Sequence, residues 1–524
     1  MSTLTILLKI FKNLGKGIIF IIGLWLLAIM SVVFYMKGIN PIFLTLYVIL
    51  SFVANIGFLW PGILKLTNNG EKSRRAVLKF FVVPSTLLFT IFYALVIFYI
   101  QDIPIILGIL SAITIILMFI AIKSPESLSK SLLKKSKAFR LSIFGIPAII
   151  FFVLMYISVP IVKNYRTSIL KQAEEERLQA IEASVKKTPV KDGKVKVYPL
   201  HVGDTILTYG QFYGGLDGWE GLTGYFKTLV NKDNITIPLY TYLIDHPKHG
   251  LFMIDAAINW EQANDHDGFY NHNYMVSRLL TVKDEYKLNI EQDLQVQVER
   301  LGYKLEDIKM VFMTHTHDDH AGGLRNIPNA KVIISKEDWE KGTSIYPYSF
   351  ELVEDNMDLF TYDPIEYKSF PKSLDYFDDG SVILLPTPGH SPGHTSVLVK
   401  ADEYDILFMG DTPYTLNHMS IDEVRQITLG GEETEKQLDS TRKLQQLVED
   451  EPNTVMLFAH DYTSYQKELI EQFLEDGYFN EEELNNIRNY RFTLFDNDWN
   501  LKPGHMPYYI PPAKGQETGS VGFK

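Results

Sequence analysis

The hydrophobic pattern divides this chain into two parts. Before residue 163, five long apolar stretches contain no charged side chain: 17–36, 38–64, 80–101, 103–122 and 141–162. Each has about the 20 residues that an α-helix needs to cross a bilayer, and soluble proteins rarely bury several helices that are apolar on every side. The pattern therefore predicts an all-α transmembrane bundle of about five helices over residues 1–162, which would anchor the chain in a lipid bilayer.

After the apolar part, charged residues recur at helical spacing and are followed by strand-like runs. Residues 163–187 are predicted to form an amphipathic helix, a stalk within the linker 163–190, whose charges we expect to face solvent without partners. Short β-branched and aromatic runs then alternate with turn residues and with helical patterns around 291–301 and 434–450. The predicted strands cover 195–200, 238–244, 250–256, 309–314, 330–335, 381–385, 395–399, 405–409 and 454–459. These elements predict an α+β domain of two sheets flanked by helices at 191–480, followed by a C-terminal extension at 481–524.

The two parts also differ in charge. Residues 1–162 carry a net charge of +12, and because the whole chain carries −12, residues 163–524 carry −24. Lys and Arg are alternately abundant and scarce in the short loops between the predicted spans, which places the N-terminus in the cytoplasm and, after an odd number of spans, the large domain outside it. The acidic second part disfavours nucleic acid as a partner, since phosphate binding relies on Lys and Arg. We therefore expect a multi-pass membrane protein whose extracytoplasmic domain acts on a small molecule, and the oligomeric state stays open.

The candidate chemistry lies in the second part. The chain has no cysteine, which excludes disulfides and thiolate ligands, and all 13 histidines follow residue 200. The motif HTHDDH covers residues 315–320, directly after a predicted buried strand. His315 and His317 are two apart on an extended segment, so they can face one metal ion, while Asp319 and His320 can face a second. Imidazole and carboxylate groups suit Zn²⁺, Fe²⁺ or Mn²⁺.

This motif resembles the metallo-β-lactamase superfamily, and three later segments agree with that family in order. The segments LLPTPGHSPGHTS, LFMGDTPY and VMLFAHD carry His390, Asp411 and His460, each just after a predicted strand. The resemblance covers about 195–470 and implies an αββα sandwich with two divalent metal ions, preferably zinc. It also implies the ligand sets: His315, His317 and His390 for one ion, Asp319, His320 and His460 for the other, and Asp411 between them.

Further features resemble the N-acyl homoserine lactonase branch of that superfamily. Asp411 occupies a position where zinc β-lactamases often carry cysteine, and Tyr414 matches a tyrosine that reaches the lactone carbonyl in this branch. The resemblance implies that a metal-bridged hydroxide attacks the carbonyl of a lactone or related ester. It makes Asp319 and Tyr414 the predicted catalytic residues, with Tyr414 stabilising the oxyanion.

One position departs from the branch. Asp318 stands where the lactonases that this chain resembles carry a large apolar residue at the mouth of the acyl-chain pocket, and a carboxylate is unfavourable beside a hydrocarbon tail. A long-chain acyl lactone is therefore disfavoured as the substrate, and we expect Asp318 itself to face solvent without a role. Of the other histidines, His394 is expected to hydrogen-bond near the site without binding metal, and His418 to stabilise a loop.

Three alternatives stay open because one ligand set serves several reactions. A glyoxalase-II-like thioester hydrolase would use the same attack on a carbonyl carbon. A phosphodiesterase or nuclease would fit the same fold, although the acidic charge counts against it. A membrane sensor or accessory domain would bind the ions without hydrolysis, but such a domain has no need of the complete ligand set. A membrane-anchored, lactonase-like hydrolase is therefore the leading hypothesis.

Overall fold

The computed structural model describes residues 167–214, 233–265, 269, 286–342, 347–401, 403–427 and 431–524. The chain divides into two compact units, and nearly all described residues belong to the second, which comprises residues 168–269 and 284–524. The five predicted membrane spans lie outside the described residues. Among the residues that are described, no helix is both long and apolar enough to cross a membrane.

The described part contains three β-sheets. The strands are, in chain order, β1 Lys196–Thr208, β2 Asn234–His246, β3 Gly250–Ile254, β4 Tyr286–Lys287, β5 Met310–Phe312, β6 Lys331–Ser335, β7 Met357–Phe360, β8 Leu374–Asp375, β9 Val382–Pro386, β10 Thr395–Lys400, β11 Asp405–Phe408, β12 Thr454–Leu457, β13 Pro507–Ile510 and β14 Ser520–Phe523. A seven-stranded sheet has the order β4-β1-β2-β3-β5-β6-β7, and a five-stranded sheet has the order β12-β11-β10-β9-β8. The third sheet is the antiparallel hairpin of β13 and β14.

Among the described residues, one α-helix precedes the strands and the others connect the strands or follow them. In chain order they are α1 at 167–183, α2 Tyr209–Tyr213, α3 Trp260–Asn264, α4 Leu294–Arg300, α5 Asp318–Ala321, α6 Lys336–Lys341, α7 Gly431–Asp450, α8 Glu471–Phe473 and α9 Glu481–Leu494. A π-helical turn at Tyr465–Ile470 leads into α8. A local signal sets the start of α9: the Asn480 side chain accepts from the backbone of Glu483, and the Glu483 side chain accepts from the backbone of Asn480. This reciprocal pair is a capping box, which satisfies two N–H groups that a helix start would otherwise leave without acceptors.

The core follows from the alternation of side chains along the strands. In β2, Leu239 and Leu243 belong to one buried cluster, together with residues of α4, whereas Tyr242 belongs to a second cluster that contains residues of both large sheets. Side chains two apart share a face of a strand, so the seven-stranded sheet is buried on both sides. Leu444 of α7 joins the second cluster. The predicted sandwich of two sheets with packed helices is confirmed.

The stalk helix α1 packs on the domain. Ala173 and Ile181 are buried, and the guanidinium of Arg177 donates two hydrogen bonds of 3.1 Å to the carboxylate of Asp293. Asp293 is 1% exposed and also caps α4 by accepting from the backbone of Gln295. The expectation that the charges of the stalk lack partners is therefore wrong for Arg177. Its partner is the buried carboxylate of Asp293, which requires a cation beside it.

Candidate metal centre

Each candidate ligand lies in a loop or short helix that follows a strand. β5 leads into the loop of His315 and His317 and then into α5, which carries Asp319 and His320. His390 follows β9, Asp411 follows β11 and His460 follows β12. The strand before α5 belongs to the seven-stranded sheet, and the other three strands belong to the five-stranded sheet. The site is therefore assembled from both layers of the sandwich.

Three imidazoles converge on one point, and we name them the three-histidine group: His315, His317 and His390. The Nε2 atom of His390 lies 3.1 Å from Nε2 of His315 and 2.9 Å from Nδ1 of His317. The Oδ2 atom of Asp411 lies 3.3 Å from Nε2 of His390 and 3.8 Å from Nε2 of His315. Together these four side chains form a set that could hold a metal ion.

A second set, the aspartate–histidine group, consists of Asp319, His320 and His460. The Nε2 atom of His460 lies 3.7 Å from Oδ2 of Asp319. The other oxygen of Asp411, Oδ1, lies 3.1 Å from Nε2 of His320 and 3.1 Å from Nε2 of His460. Asp411 therefore turns one oxygen to each group, which is the position of a carboxylate that bridges two ions. The structure brings all seven predicted ligands together.

The separations between these atoms fit coordination of a metal ion. Tetrahedral coordination with bonds of about 2.1 Å to imidazole places neighbouring ligand atoms roughly 3.4 Å apart. The four separations given above for the three-histidine group and Asp411 range from 2.9 to 3.8 Å, and all ligand atoms of this set lie within 4.8 Å of one another. In addition, Nε2 of His320 and Oδ1 of Asp411 are buried and, although they lie 3.1 Å apart, neither forms a hydrogen bond of normal geometry with a described residue. Buried polar atoms rarely lack a partner, so this pair fits a cation that both would contact.

The pKa shifts of the candidate ligands differ between the two groups. Burial lowers the pKa of His315 and of His390 well below the usual range, and nearby imidazoles contribute to both shifts. Burial opposes charge on Asp411 as well, but His320 and His460 hold the pKa of this carboxyl well below its usual range. His315 and His390 are therefore neutral and offer lone pairs, and the ionised Asp411 offers negative charge, which are the ligand states that a divalent cation needs. Burial opposes charge on His320 and His460 too, but Asp411 raises the pKa of both, so an ion bound there would displace their protons.

Comparison with known proteins agrees with this geometry. The Metallo-beta-lactamase superfamily profile matches residues 237–460. An N-acyl homoserine lactonase of Rhizobium radiobacter is 30% identical over 205 residues, which are 36% of this chain and 70% of that protein. The chain belongs to the metallo-beta-lactamase superfamily. A second relative, an N-acyl homoserine lactonase of a Bacillus species, is 27% identical over 236 residues, which are 45% of this chain and 86% of that protein.

A solved structure of an N-acyl homoserine lactone hydrolase, with the product N-hexanoyl-L-homoserine bound at its catalytic metal center, covers 54% of this chain and 96% of its own. The identity to that structure is 22% and the TM-score is 0.39. The superfamily match and the named relatives confirm the prediction that this chain is a metal-dependent hydrolase.

In this superfamily member, a buried carboxylate orients one of the candidate ligands. Asp255, just after β3, accepts a hydrogen bond of 2.7 Å from Nδ1 of His320, which leaves Nε2 of His320 to face Asp411. Asp255 also accepts from the backbone N–H and hydroxyl of Thr314 at 2.7 and 2.8 Å. Asp255 was not predicted to be part of the site, because it lies inside the predicted strand 250–256, whereas the observed strand ends at Ile254.

Hydrogen bonds also assign the role of His394. Its Nε2 accepts from the backbone N–H of Asp411 at 2.9 Å, and its Nδ1 lies 2.8 Å from the hydroxyl of Thr387. Burial lowers the pKa of His394 to about 3, so the ring is neutral and its lone pair is occupied. The prediction that His394 hydrogen-bonds near the site without binding metal agrees with these contacts. Gly410 allows this approach, because a Cβ at its φ of +60° would lie 2.5 Å from the His394 ring.

Tyr414 lies beside both groups. Its ring centroid is 5.6 Å from that of His390 and 5.4 Å from that of His460, with both pairs edge-to-face. Its ring also stacks on Phe212 of α2, with centroids 4.9 Å apart and planes inclined by 8°. The predicted loop role of His418 agrees with its contacts, since its Nε2 lies 2.8 Å from the carbonyl oxygen of Phe212.

The expectation that Asp318 faces solvent is wrong. This residue is 7% exposed, and its Oδ2 accepts a hydrogen bond of 3.2 Å from Nε2 of Gln262, which also donates to the Asp318 carbonyl at 3.0 Å. This contact could not be predicted from the local pattern, because Gln262 lies on α3, 56 residues earlier. A second missed glutamine, Gln426, donates from its amide to the carbonyl oxygen of Asp411 at 2.5 Å.

Proposed function

We propose that this chain is a membrane-anchored, dinuclear metal-dependent hydrolase that opens a lactone ring. The observation that carries the proposal is the convergence of the three-histidine group and the aspartate–histidine group on the two oxygens of Asp411. The names of the relatives, N-acyl homoserine lactonases, support a cyclic ester as the substrate class. Zinc is the metal we propose, because imidazole and carboxylate ligands at these separations suit it.

The seven candidate ligands would bind the two metal ions, and other side chains would contact the substrate. His315, His317 and His390 would hold one ion, Asp319, His320 and His460 the other, and Asp411 both. When bound, such a pair of ions supplies an activated water molecule and a Lewis acid for the carbonyl oxygen.

Two side chains beside the ligands are placed to assist the reaction. The Tyr414 hydroxyl would donate a hydrogen bond to the carbonyl oxygen as negative charge develops on it, since the ring lies beside a histidine of each group. Asp319, whose side chain is 18% exposed, can accept a proton from the attacking water and pass it to the leaving alkoxide of the opened ring.

The proposal is tested with a substrate-class screen. Full-length protein loaded with Zn²⁺ is mixed with N-hexanoyl homoserine lactone, with a glutathione thioester and with bis(p-nitrophenyl) phosphate, and acid release is followed at constant pH. We expect ring opening of the lactone, and we expect Asp411→Asn to abolish it because both ions lose a ligand. His201→Gln is the matched control, since this histidine pairs with Asp204 away from the candidate ligands.

Each substrate class has a distinct outcome. Turnover of the thioester without turnover of any lactone would replace the lactonase assignment with a thioester hydrolase. Hydrolysis of the phosphodiester alone would replace it with a phosphodiesterase. Binding of two ions without hydrolysis of any substrate would leave the non-enzymatic sensor as the better description.

A further inference from the structure

A buried carboxylate outside the seven candidate ligands lies between two of the ligand loops. Asp338 is on α6 and is 0% exposed. Its Oδ2 accepts a hydrogen bond of 2.8 Å from the backbone N–H of Thr316. Thr316 is the residue between His315 and His317, so this bond holds the loop that carries two members of the three-histidine group.

The other carboxylate oxygen of Asp338 binds the loop of His390, the third member of the three-histidine group. Its Oδ1 accepts from the backbone N–H of Gly393 at 3.0 Å and from the hydroxyl of Ser391. Both residues follow His390 within three positions. One carboxylate therefore accepts three hydrogen bonds, one from the first loop and two from the second, and no described ligand of the aspartate–histidine group is among its donors.

The packing around Asp338 is close enough to fix these bonds. A Cβ at Gly393 would lie 2.1 Å from the backbone nitrogen of Asp338. A Cβ at Gly342 would lie 2.3 Å from the Asp338 carbonyl oxygen and 2.6 Å from the hydroxyl oxygen of Thr316. Both positions thus require glycine, and the two loops pack directly on α6 without an intervening side chain.

We propose that Asp338 is a positioning residue that sets the separation of His317 and His390 and thereby the metal affinity of the three-histidine group. A buried carboxylate is costly unless its oxygens are hydrogen-bonded, so neither loop can move away without leaving charge unsatisfied. Asp255 contacts the His320 ring directly, whereas Asp338 acts through the backbone on either side of the ligands. The inference rests on the proposed function in one respect, that these groups bind metal.

The test measures metal binding and does not depend on activity. Metal-free full-length Asp338→Asn is titrated with Co²⁺ while the visible absorption of the bound ion is followed. The amide cannot accept from both loops, because its NH₂ must face an N–H or hydroxyl donor on one side. We expect wild type to bind two Co²⁺ ions, and we expect the variant to bind one of them about 10- to 100-fold more weakly.

Spectra and matched variants identify which ion is affected. The weakened ion should have the absorption spectrum of the histidine-rich set, whereas Asp255→Asn should weaken the ion with the other spectrum, since it contacts His320. Asp245→Asn is the control, because this carboxylate accepts from the hydroxyl of Tyr303 away from the ligand loops. Its two affinities should match those of wild type.

The outcomes separate this inference from the proposed function. Two Co²⁺ ions bound by Asp338→Asn with wild-type affinities and spectra would overturn the role of Asp338 and leave the proposed function standing. Failure of wild type to bind two ions would overturn both. If thermal unfolding shows that Asp338→Asn does not fold, Ser391→Ala removes one donor and keeps the carboxylate. We expect it to weaken the same ion by a smaller factor, and an unchanged affinity would count against the inference.

Discussion

At the scale of single residues, hydrogen bonding decides which imidazoles can bind an ion. His390 and His394 lie four residues apart in the same loop region, and burial lowers the pKa of both. The Nε2 lone pair of His394 is occupied by the backbone N–H of Asp411, whereas Nε2 of His390 faces His315 and His317. Both rings are therefore neutral, and their other contacts decide whether each can bind a metal ion or instead holds a neighbouring residue in place.

A tyrosine-to-phenylalanine substitution tests the proposed oxyanion contact. Tyr414→Phe keeps the ring that stacks on Phe212 and removes the hydroxyl. Because removing one oxyanion donor costs about 100- to 1,000-fold in rate, we expect kcat for a lactone to fall by about 100-fold while KM changes little. Steady-state kinetics with parallel metal analysis measure both quantities.

The control for this variant is Tyr462→Phe. The hydroxyl of Tyr462 lies 2.5 Å from the hydroxyl of Tyr213, so it already forms a hydrogen bond within the protein. We expect its loss to leave kcat within a few-fold of wild type. A kcat for Tyr414→Phe equal to that of the control would show that the Tyr414 ring only packs.

The buried His418 is expected to make stability depend on pH. Burial lowers the pKa of His418 to about 4, whereas an unfolded histidine has a pKa of about 6.5. The unfolded chain therefore binds a proton first as the pH falls, and stability is lost between about pH 6.5 and 4 by an amount on the order of 3 kcal/mol. His418→Gln cannot titrate, so its stability should decline less over this range.

Urea unfolding followed by tryptophan fluorescence at pH 7.5 and pH 4.5 measures this difference. The comparison is between the pH-induced change in wild type and the change in His418→Gln, so an overall destabilisation of the variant does not affect it. His201→Gln, whose side chain is 34% exposed, is the control. Equal pH-induced changes in wild type and His418→Gln would contradict the prediction.

At the scale of elements, the strands that are buried on both faces were predictable, and so were the ligands that follow them. The run KMVFMT predicts β5 and TVMLFA predicts β12, since continuous apolar runs bounded by polar turns are typical of buried strands. The two-residue strands β4 and β8 were not predicted, because a strand that short has no periodicity. The hairpin of β13 and β14 was also missed, since it is attached through a distant bridge between Ile235 and Gly519.

The residues that hold the ligand loops in place were harder to predict than the ligands themselves. A ligand such as His317 is part of a dense local motif, whereas Asp338 contacts Thr316 across 22 residues and Gly393 across 55. Such contacts form only when distant parts of the chain fold together, so they leave no pattern in the nearby sequence. Asp318 was misjudged for the same reason, because its burial depends on Gln262.

The stalk helix offers a test of how firmly an element is attached. Arg177→Leu would leave the buried carboxylate of Asp293 without its cation, and hydrogen bonds to charged groups contribute about 1.5–3 kcal/mol each. We expect amide hydrogens of α1 to exchange at least tenfold faster in this variant, measured by mass spectrometry. Lys171→Leu is the control, since the Lys171 side chain is 77% exposed. Unchanged protection of α1 in Arg177→Leu would show that the ion pair does not hold the helix.

At the scale of the whole molecule, charge and hydrophobic pattern favour a catalytic domain outside the cytoplasm. The acidic residues 163–524 follow an odd number of predicted spans whose Lys- and Arg-rich loops are expected in the cytoplasm. A lactonase in that position would meet its substrate before the substrate enters the cell.

The absence of cysteine makes this topology directly testable. A single cysteine introduced by Lys191→Cys lies at an exposed position between α1 and β1. A membrane-impermeant maleimide should label it in intact cells, because the charge bias places this segment outside. Ser127→Cys, in the Lys-rich loop 123–140 between predicted spans, is the matched variant and should be labelled only after the cells are permeabilised. Since the unmodified chain has no thiol, all labelling of the protein reports the introduced residue. The reverse pattern would place the catalytic domain in the cytoplasm and invert the orientation inferred from the charge bias. Labelling of both variants in intact cells would contradict the alternation of loops from which the orientation is inferred.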